Sequence, residues 1–468
     1  MKHVIITLFL TFSLASLFAQ KMPHVSFDVK ETDGYVENIT PLKGVGAIAE
    51  IRNKKPLGVD LIFYDMNMNK KWTCSFTKDD LHMANGIQNS AKDALGMMKS
   101  YIYYVNNEIV YINNLLFNNK KEGLTIFIIS MDGKVEQRSA NPTGRTYILE
   151  SVFDGAVKAG DNIYVLRTGK FENESKPRYE MREVNLRDAT LSSAITLQVP
   201  DLKNGLWTYG GCDNDKLYFY GIVESSEKNN KANGFNVVVA PVTLSGALVQ
   251  PFDCNIRLNT FYPSAESQNS PALYVRIDTP THAIYVYCNM AGSIAYTWVG
   301  ANRCKGVYIQ KYDLSGNLQW SKQYTNEEIA GLNNEFKARD EPVGYASYLS
   351  IDDSTHDIVL VRQELAGMKL NLTARCFLFD SDGNLKKAFM GGDQSCKMTG
   401  NDNIGTSSFF TCNTYKQGDP TYLEKLHQIY AQYPQGKDRP VAKIMNVGAE
   451  YWVEVIDNNK NTFDIYEL

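Results

Sequence analysis

A short polar turn between two apolar runs recurs along the chain, and this repeat restricts the fold more than any other sequence feature. Two copies agree closely, residues Asp65–Trp72 and Asp313–Trp320. Successive copies, which we call octads, start about 65 residues apart, a spacing typical of repeat architectures. The looser octads start at Ser130, Asn185, Thr243, Asp380 and Asp457.

Each octad is predicted to form the tip of a β-hairpin. An Asp, Asn, Ser or Thr side chain at its first position can accept a hydrogen bond from the backbone two residues on, and a Gly at its fourth position adopts the left-handed conformation that such turns need. Further apolar runs lie upstream of most tips, for example residues 108–112 and 282–287. The pattern therefore predicts four strands per repeat.

Seven units of four strands predict an all-β chain folded as a seven-bladed β-propeller, with six or eight blades as the alternatives. One such unit has two apolar faces that it cannot bury alone, whereas radial stacking buries both. A β-helix requires a shorter coil, and two packed sandwiches do not explain seven similar tips. We expect one propeller domain over residues 20–468, with a small helical insertion at about 413–449.

The Asp-x-x-Gly-Asn-x-x-Trp pattern of the tips resembles the blade motif of quinoprotein-like and related secreted bacterial propellers, in which a tryptophan docks between neighbouring blades. Only Trp72 and Trp320 keep that tryptophan in this chain. The resemblance covers the repeat and no active site, so it implies the architecture and not a quinone, and we expect no cofactor. The other octads carry Gln137, Ser192, Gln250, Lys387 and Asp464 at the tryptophan position.

The first nineteen residues are typical of a secretory signal peptide, with a basic start, an apolar stretch from Val4 to Leu17 and Ala19 at the cleavage position. The sequence therefore predicts a soluble periplasmic or extracellular protein. No later run reaches the roughly eighteen apolar residues of a spanning helix, so we do not expect it to be embedded in a membrane. A net charge of -4 without basic runs argues against a nucleic-acid partner.

The chain contains eight cysteines, and one pair is expected to form a disulfide. Cys288 and Cys304 are predicted to face each other across one hairpin. No pair has the C-x-x-C spacing of zinc or redox sites, and we predict no metal site. The acidic residues around His356 are interpreted as a tight turn, in which such residues are favoured.

The two rims of the predicted propeller differ in the length of their connections. In a four-stranded meander the first and third connections lie on one rim, and the second and the blade-to-blade connections lie on the other. The second of these, which we call the long-loop rim, is where we expect function, because binding residues concentrate on loops of a rigid scaffold. Its predicted long segments are residues 77–99, 168–178, 222–234, 256–271, 289–304, 326–344 and 413–449.

Aromatic residues in these segments are the candidate binding residues, because their rings stack on sugars or on peptide side chains. No catalytic motif appears, and the leading hypothesis is therefore an exported binding or scaffold module for a protein, peptide or glycan, without an enzymatic activity. The alternatives are a glycan-active hydrolase or lyase with carboxylate, Tyr or His groups at the channel mouth, and a structural component of a cell-envelope assembly. The candidate binding residues are Phe261, Tyr262, Trp298 and Tyr415.

Overall fold

The computed structural model describes the chain in nineteen stretches, two of which are single residues, and every structural statement below concerns these residues. They are residues 24–29, 33–81, 98–117, 121–142, 147–171, 176–202, 207–225, 234–256, 273–291, 303–332, 341–342, 347–351, 356–366, 371–390, 429, 432, 441–447, 451–457 and 460–467.

Thirty strands and one helix occur in the described residues. The first fourteen strands are β1 (Val25–Asp28), β2 (Tyr35–Leu42), β3 (Gly46–Lys54), β4 (Leu57–Asp65), β5 (Lys70–Thr77), β6 (Met98–Val105), β7 (Glu108–Phe117), β8 (Lys121–Ser130), β9 (Val135–Pro142), β10 (Tyr147–Ala159), β11 (Asn162–Phe171), β12 (Arg178–Asn185), β13 (Thr190–Leu191) and β14 (Ile195–Thr196). The others are β15 (Thr208–Cys212), β16 (Lys216–Ser225), β17 (Gly234–Thr243), β18 (Phe252–Ile256), β19 (Leu273–Asp278), β20 (Ala283–Ala291), β21 (Arg303–Asp313), β22 (Leu318–Thr325), α1 (Asn326–Leu332), β23 (Glu341–Pro342), β24 (Ser347–Ile351), β25 (Ile358–Ala366), β26 (Asn371–Phe379), β27 (Leu385–Met390), β28 (Val441–Asn446), β29 (Tyr451–Asp457) and β30 (Thr462–Glu467).

The strands form seven antiparallel meanders in the described part of the chain. Sheets 1 to 6 contain β2–β5, β6–β9, β10–β14, β15–β18, β19–β23 and β24–β27, and sheet 7 contains β28–β30 and β1. The first strands of sheets 1 to 5 neighbour one another in sequence order. The predicted all-β propeller architecture is confirmed, and seven is the number of sheets among the residues described.

The hydrophobic cores lie between the sheets. Six clusters of buried side chains fill the interfaces of sheets 1 and 2, 2 and 3, 3 and 4, 4 and 5, 5 and 6, and 7 and 1. Successive residues of β7 contribute to two different cores, because their side chains point to opposite faces of the sheet. Tyr111 packs with sheet 1, whereas Ile112 packs with sheet 3. A strand covered on both faces must be apolar at successive positions, which explains the continuous apolar runs of the sequence.

The N-terminal strand completes the last sheet. β1 pairs antiparallel with β30, with Val25 opposite Ile465 and Phe27 opposite Phe463. The rings of Phe27 and Phe463 stack with centroids 5.4 Å apart. The sequence left open whether residues 25–29 join the final sheet beside residues 463–466, and the register shows that they do.

Six of the seven octads form the turn between the third and fourth strands of sheets 1 to 6. In the first octad the Oδ1 atom of Asp65 accepts hydrogen bonds from the backbone N–H groups of Asn67 (3.0 Å) and Asn69 (2.9 Å). Asp313 and Asp380 accept the equivalent bonds. The predicted turn chemistry is therefore confirmed.

The seventh octad is not equivalent to the others. Asp457 ends β29, so its turn joins the second and third strands of sheet 7 and not the third and fourth. The physical reason is that β1 supplies the fourth strand, which leaves sheet 7 without a covalent third connection. The prediction that Asp457 starts an equivalent tip is wrong.

The tryptophans of the octads join adjacent sheets. The indole N–H of Trp72 donates to the carbonyl of Met131 (3.0 Å), and that of Trp320 donates to the carbonyl of Ser381 (3.1 Å). Each ring covers the fourth residue of the next octad, where a Cβ on Gly133 would lie 2.6 Å from the Trp72 ring and a Cβ on Gly383 would lie 2.7 Å from the Trp320 ring. The glycine thus provides both the left-handed turn and the space for the indole.

The predicted facing arrangement of Cys288 and Cys304 is wrong. Cys288 lies opposite Tyr308, whereas Cys304 lies opposite Ala291, beyond a register shift. Three residues along a strand span about 10 Å, and a disulfide requires Cα atoms within about 7 Å. The two cysteines share a hairpin, but its register separates them.

One helix, α1, follows β22 in a segment for which the sequence predicted only a long connection. The backbone N–H of Thr325 donates to the Glu328 carboxylate (2.7 Å), and the backbone N–H of Glu328 donates to the Thr325 hydroxyl (3.2 Å). This capping box is a sequence signal that marks a helix start. Within the predicted helix of the 413–449 insertion, Ile429 is helical and buried, and the rest of that helix, except Gln432, lies outside the described residues.

We expect Gly383→Ala to lower the free energy of unfolding by about 2–4 kcal/mol, from the left-handed backbone and from overpacking against Trp320. Gly44→Ala is the matched control, because Gly44 is also left-handed (φ +76) and a Cβ there meets nothing within 4 Å. That control should lose only about 1 kcal/mol in urea unfolding. Equal losses in the two variants would contradict the docking role of Trp320.

Asp380 should make the fold sensitive to acid. Partial burial raises its pKa, but hydrogen bonds from Lys386 and Asn384 outweigh burial and lower the pKa from 3.8 to about 2. Its stabilising contribution is therefore complete above pH 3.8 and is lost as the pH falls through about 2. Asp380→Asn should be less stable at pH 7 and should show a flatter loss between these values in unfolding experiments.

Asp382→Asn is the control for that experiment, because Asp382 is an exposed residue of the same turn. Its stability profile should follow the profile of the unmodified protein. If Asp380→Asn keeps the full acid sensitivity of the unmodified protein, Asp380 is not its source.

Candidate functional site

The four aromatic residues predicted to bind a ligand lie outside the described residues. Phe261, Tyr262, Trp298 and Tyr415 therefore stay predictions. Most residues of the long segments lie outside the described residues as well, but the strands that flank these segments are described.

The strand order gives each long segment its place among the connections. Residues 168–178, 222–234 and 289–304 join second to third strands, and the other four long segments join one sheet to the next. In an antiparallel meander, both kinds of connection lie at the same ends of the strands. The strand topology thus agrees with the predicted long-loop rim.

His356 is a turn residue, as the sequence predicted. It is exposed and has a left-handed backbone (φ 58), a conformation in which His is enriched among non-glycine residues. His282 has the same conformation (φ 50) in the corresponding first connection of sheet 5. In the described residues, no group of three or more His, Cys, Asp or Glu side chains is placed to hold a metal ion.

A polar cluster lies in the interface between sheets 1 and 2, and the register explains how its members meet. Glu50 and Arg52 alternate along β3 and therefore project from the same face. Ser100 of β6 lies directly opposite Asn113 of β7, so these side chains also share a face. We call this group the interblade cluster, and its members are Glu37, Glu50, Arg52, Ser100, Tyr111 and Asn113.

Hydrogen bonds and ion pairs connect four members of the cluster in series. The Nε atom of Arg52 donates to Glu50 (3.1 Å), and its Nη2 atom lies 3.2 Å from the Glu37 carboxylate. The Ser100 hydroxyl donates to the other Glu50 oxygen (2.5 Å) and accepts from Arg52 Nη2 (3.3 Å). Because Arg52 and Glu50 side chains are each 2% exposed, the guanidinium is held in one orientation.

Glu37 is the exposed end of this series. It is the extra residue of a β-bulge in β2, since Val36 lies opposite Ile51 and Asn38 lies opposite Glu50. Bulges re-aim side chains and are frequent beside functional sites. The Glu37 side chain is 35% exposed, near the start of the innermost strand of sheet 1 and hence at the long-loop rim.

The surroundings of Glu37 raise the pKa of its carboxyl group. Burial raises its pKa, the Arg52 guanidinium lowers it, and the nearby Glu50 carboxylate raises it again, so that the pKa lies above the ordinary value. Tyr111, which is fully buried, also has a raised pKa, because of burial and then of Glu50. Two carboxylates on one guanidinium thus leave the cluster short of positive charge.

The cluster is also short of hydrogen-bond donors. Asn113 is 1% exposed, its Nδ2 atom donates to the Tyr111 hydroxyl (3.0 Å), and its Oδ1 atom has no hydrogen-bond partner. A buried acceptor without a partner costs about 1–3 kcal/mol. Such a group is a natural place for a donor from a ligand or an ordered water.

Sequence reasoning missed this cluster, although one signal was available. β3 reads Gly-Ala-Ile-Ala-Glu-Ile-Arg-Asn-Lys, and Glu50 and Arg52 occupy alternate positions directly after the apolar run 47–49. Charges spaced by two residues on a strand covered on both faces indicate a buried ion pair, because an unpaired charge there is very costly.

Comparison with known proteins gives distant structural neighbours. No protein-family model matches the chain, and no curated protein matches it. Prolyl oligopeptidase B from Galerina marginata aligns at 13% identity with a TM-score of 0.39, over 77% of this chain and 45% of that protein. This chain thus spans less than half of that neighbour.

Two other solved structures align over nearly their whole length. The WD40 domain of SCAP from fission yeast has 8% identity and a TM-score of 0.34, covering 96% of this chain and 98% of that one. A member of the DUF4221 family from Bacteroides vulgatus has 9% identity and a TM-score of 0.32, with the same coverages. Similarity this low indicates no function for this chain.

Among the described residues, no helix is long and apolar enough to span a membrane.

We expect Arg52→Met to lower the free energy of unfolding by about 3–5 kcal/mol, because it leaves the buried Glu50 carboxylate without its ion-pair partner. Adding Glu50→Leu to this variant should restore most of the loss. Lys54→Met on the same strand is the control, and it should change stability by only about 0.5 kcal/mol. A loss from Arg52→Met no larger than the loss from this control would contradict the structural role of the ion pair.

Proposed function

We propose that this protein is an exported binding module that holds a protein, a peptide or a glycan at its long-loop rim. The observation that carries the proposal is the asymmetry of the connections. All seven long segments are second or sheet-to-sheet connections, so the long connections are gathered at one end of a rigid scaffold.

The opposite rim supports the proposal because it is built of short, internally bonded turns. The Oδ1 atom of Asp213 accepts from the backbone N–H groups of Asp215 (2.8 Å) and Lys216 (2.7 Å), which closes the turn between β15 and β16. Asn106 and Asn107 form a two-residue turn with left-handed backbones. Such turns leave few backbone groups for a partner.

Hydrogen bonds also join successive sheets near this short-turn rim. The Cys212 thiol donates to the carbonyl of Lys158 (3.0 Å), and the Thr279 hydroxyl donates to the carbonyl of Cys212 (2.6 Å). The Tyr103 hydroxyl donates to the carbonyl of Ala156 (2.5 Å). Sheets 2 to 5 are thereby fixed to one another, which favours a scaffold role for this end of the molecule.

A glycan-active hydrolase or lyase is the second candidate, and the interblade cluster argues against it. A carboxylate pair that cleaves a glycosidic bond must present both groups to the substrate. Glu37 is accessible, but the Glu50 side chain is 2% exposed and occupied by Arg52 and Ser100. Within the described part of the chain, the cluster thus offers one usable carboxylate, which suits binding better than acid–base hydrolysis.

Shortening the long segments should abolish binding while leaving the fold intact. Residues 226–233 connect Ser225 to Gly234, which lie directly opposite each other, so that a two-residue Asn-Gly turn can replace them. Corresponding replacements suit residues 170–177, between the paired residues Gly169 and Arg178, and residues 292–303, between the paired residues Ala291 and Cys304. We expect at least one of the three variants to lose about tenfold or more in affinity, about 1.4 kcal/mol, for a ligand that the unmodified protein selects from a glycan array or a peptide library.

The matched control carries a flexible insertion between Asn106 and Asn107, on the opposite rim. It should bind as the unmodified protein does. All variants should keep the thermal unfolding midpoint within about 2–4 °C of the unmodified protein, which corresponds to a stability change of about 1 kcal/mol. An affinity lost only with the insertion, or an unmodified protein that selects nothing from either library, would refute the proposal.

A further inference from the structure

We propose that the interblade cluster is a binding site for a primary ammonium group, which the Glu37 carboxylate receives at the long-loop rim. The inference rests on the proposed binding function and deepens it, because it gives the ligand at the long-loop rim a chemical feature. A lysine side chain of a peptide and a free amine share this feature.

The charge balance of the cluster is the first argument. Glu37 and Glu50 carry two negative charges against the single positive charge of Arg52, and these are the charged groups that act on Glu37 among the described residues. A partly buried negative charge without a counter-charge is costly. A cation at the exposed side of Glu37 balances the cluster.

The geometry of Glu37 favours ammonium over guanidinium. A guanidinium binds a carboxylate best through both oxygens at once. Arg52 already occupies the Oε1 atom of Glu37 at 3.2 Å, so the two oxygens are not equally open to a second guanidinium, and Oε2 is the more open of the two. An ammonium group, which acts as a point charge, requires no more than one open oxygen.

Preorganisation is the third argument. The bulge in β2 aims the Glu37 side chain, and the series through Arg52, Glu50 and Ser100 holds its carboxylate in place. A group that is already fixed loses little conformational entropy when it binds. The cluster thus has the layered support of a binding site, and Glu37 lies at the long-loop rim end of β2.

Two further observations concern a hydrogen-bond donor and an aromatic ring. The Oδ1 atom of Asn113 is buried and without a hydrogen-bond partner, on the face that Ser100 shares with the cluster. The ring of Tyr35, whose Cα lies opposite that of Arg52, already attracts an ammonium of this chain, since Lys54 Nζ lies 5.8 Å from its centroid. An ammonium ligand at Glu37 would have the same aromatic ring as a neighbour and would supply donors to the cluster.

Binding should depend on pH through Glu37. The titratable and charged groups around this carboxyl are Arg52, Glu50, Tyr35 and Tyr111. Ammonium requires the ionised carboxylate, and the pKa of Glu37 is raised. Affinity should therefore be constant above that pKa and should fall as the pH is lowered through it, with proton uptake by the free protein.

The test uses the full chain with N-acetyl-lysine amide as the probe and N-acetyl-norleucine amide as the matched probe without a charge. We expect the unmodified protein to bind the lysine probe and not the norleucine probe in titrations at pH 7.5. Glu37→Gln should weaken binding of the lysine probe about tenfold or more, with an unchanged unfolding midpoint, because the Glu37 side chain is partly exposed.

Glu136→Gln is the control variant, since Glu136 is an exposed carboxylate of sheet 2 that pairs with Lys134. It should bind the lysine probe as the unmodified protein does. The proposal is overturned if Glu37→Gln binds with unchanged affinity, if Glu136→Gln weakens binding equally, or if the unmodified protein does not distinguish the two probes.

The outcome for this site is distinguishable from the outcome for the proposed function. If the protein selects a glycan or a peptide at the rim but does not distinguish the two probes, the ammonium site fails and the binding module stands. If the lysine probe binds and depends on Glu37 while the loop variants bind their ligand normally, the ammonium site stands and the role of the long segments fails.

Discussion

Among the described residues, sheets 1 to 5 each depend on two neighbouring sheets to cover their apolar faces. Alternate side chains of β7 enter two different cores, so removal of either adjacent sheet would expose half of the buried residues of that strand. Burial of apolar surface is the main favourable term in folding. β1 connects the two ends of the chain, because it pairs with β30 within sheet 7 and sheet 7 packs on sheet 1 through a further core.

The same dependence explains the construction of the tips. The fourth strand of each sheet lies farthest from the innermost strands. In sheets 1 and 5, Trp72 and Trp320 attach this strand to the turn of the next sheet. The indole fits only where the turn has no Cβ, which is why Gly133 and Gly383 stand in the fourth position. The turn and the contact between sheets therefore place one joint requirement on the sequence.

Local chemistry was predictable from the sequence, and register was not. The hydrogen bonds of Asp65 and Asp313 to their own turns depend on neighbouring residues only, so six octads were interpreted correctly. Asp457 was misassigned because the fourth strand of its sheet comes from the other end of the chain. Cys288 and Cys304 were misaligned because a register shift follows Met290, and no residue type marks that shift in the sequence.

The interblade cluster was missed for a related reason, since its members come from four strands of two sheets. Its position is nevertheless physically reasonable. At the rim end of the innermost strands, water reaches one side of the interface, and an ion pair there costs less than one in the middle of a core. Arg52 is buried enough to be fixed and Glu37 is exposed enough to meet a ligand. The seam between two sheets can thus serve both cohesion and recognition, because one guanidinium connects the buried carboxylate to the accessible one.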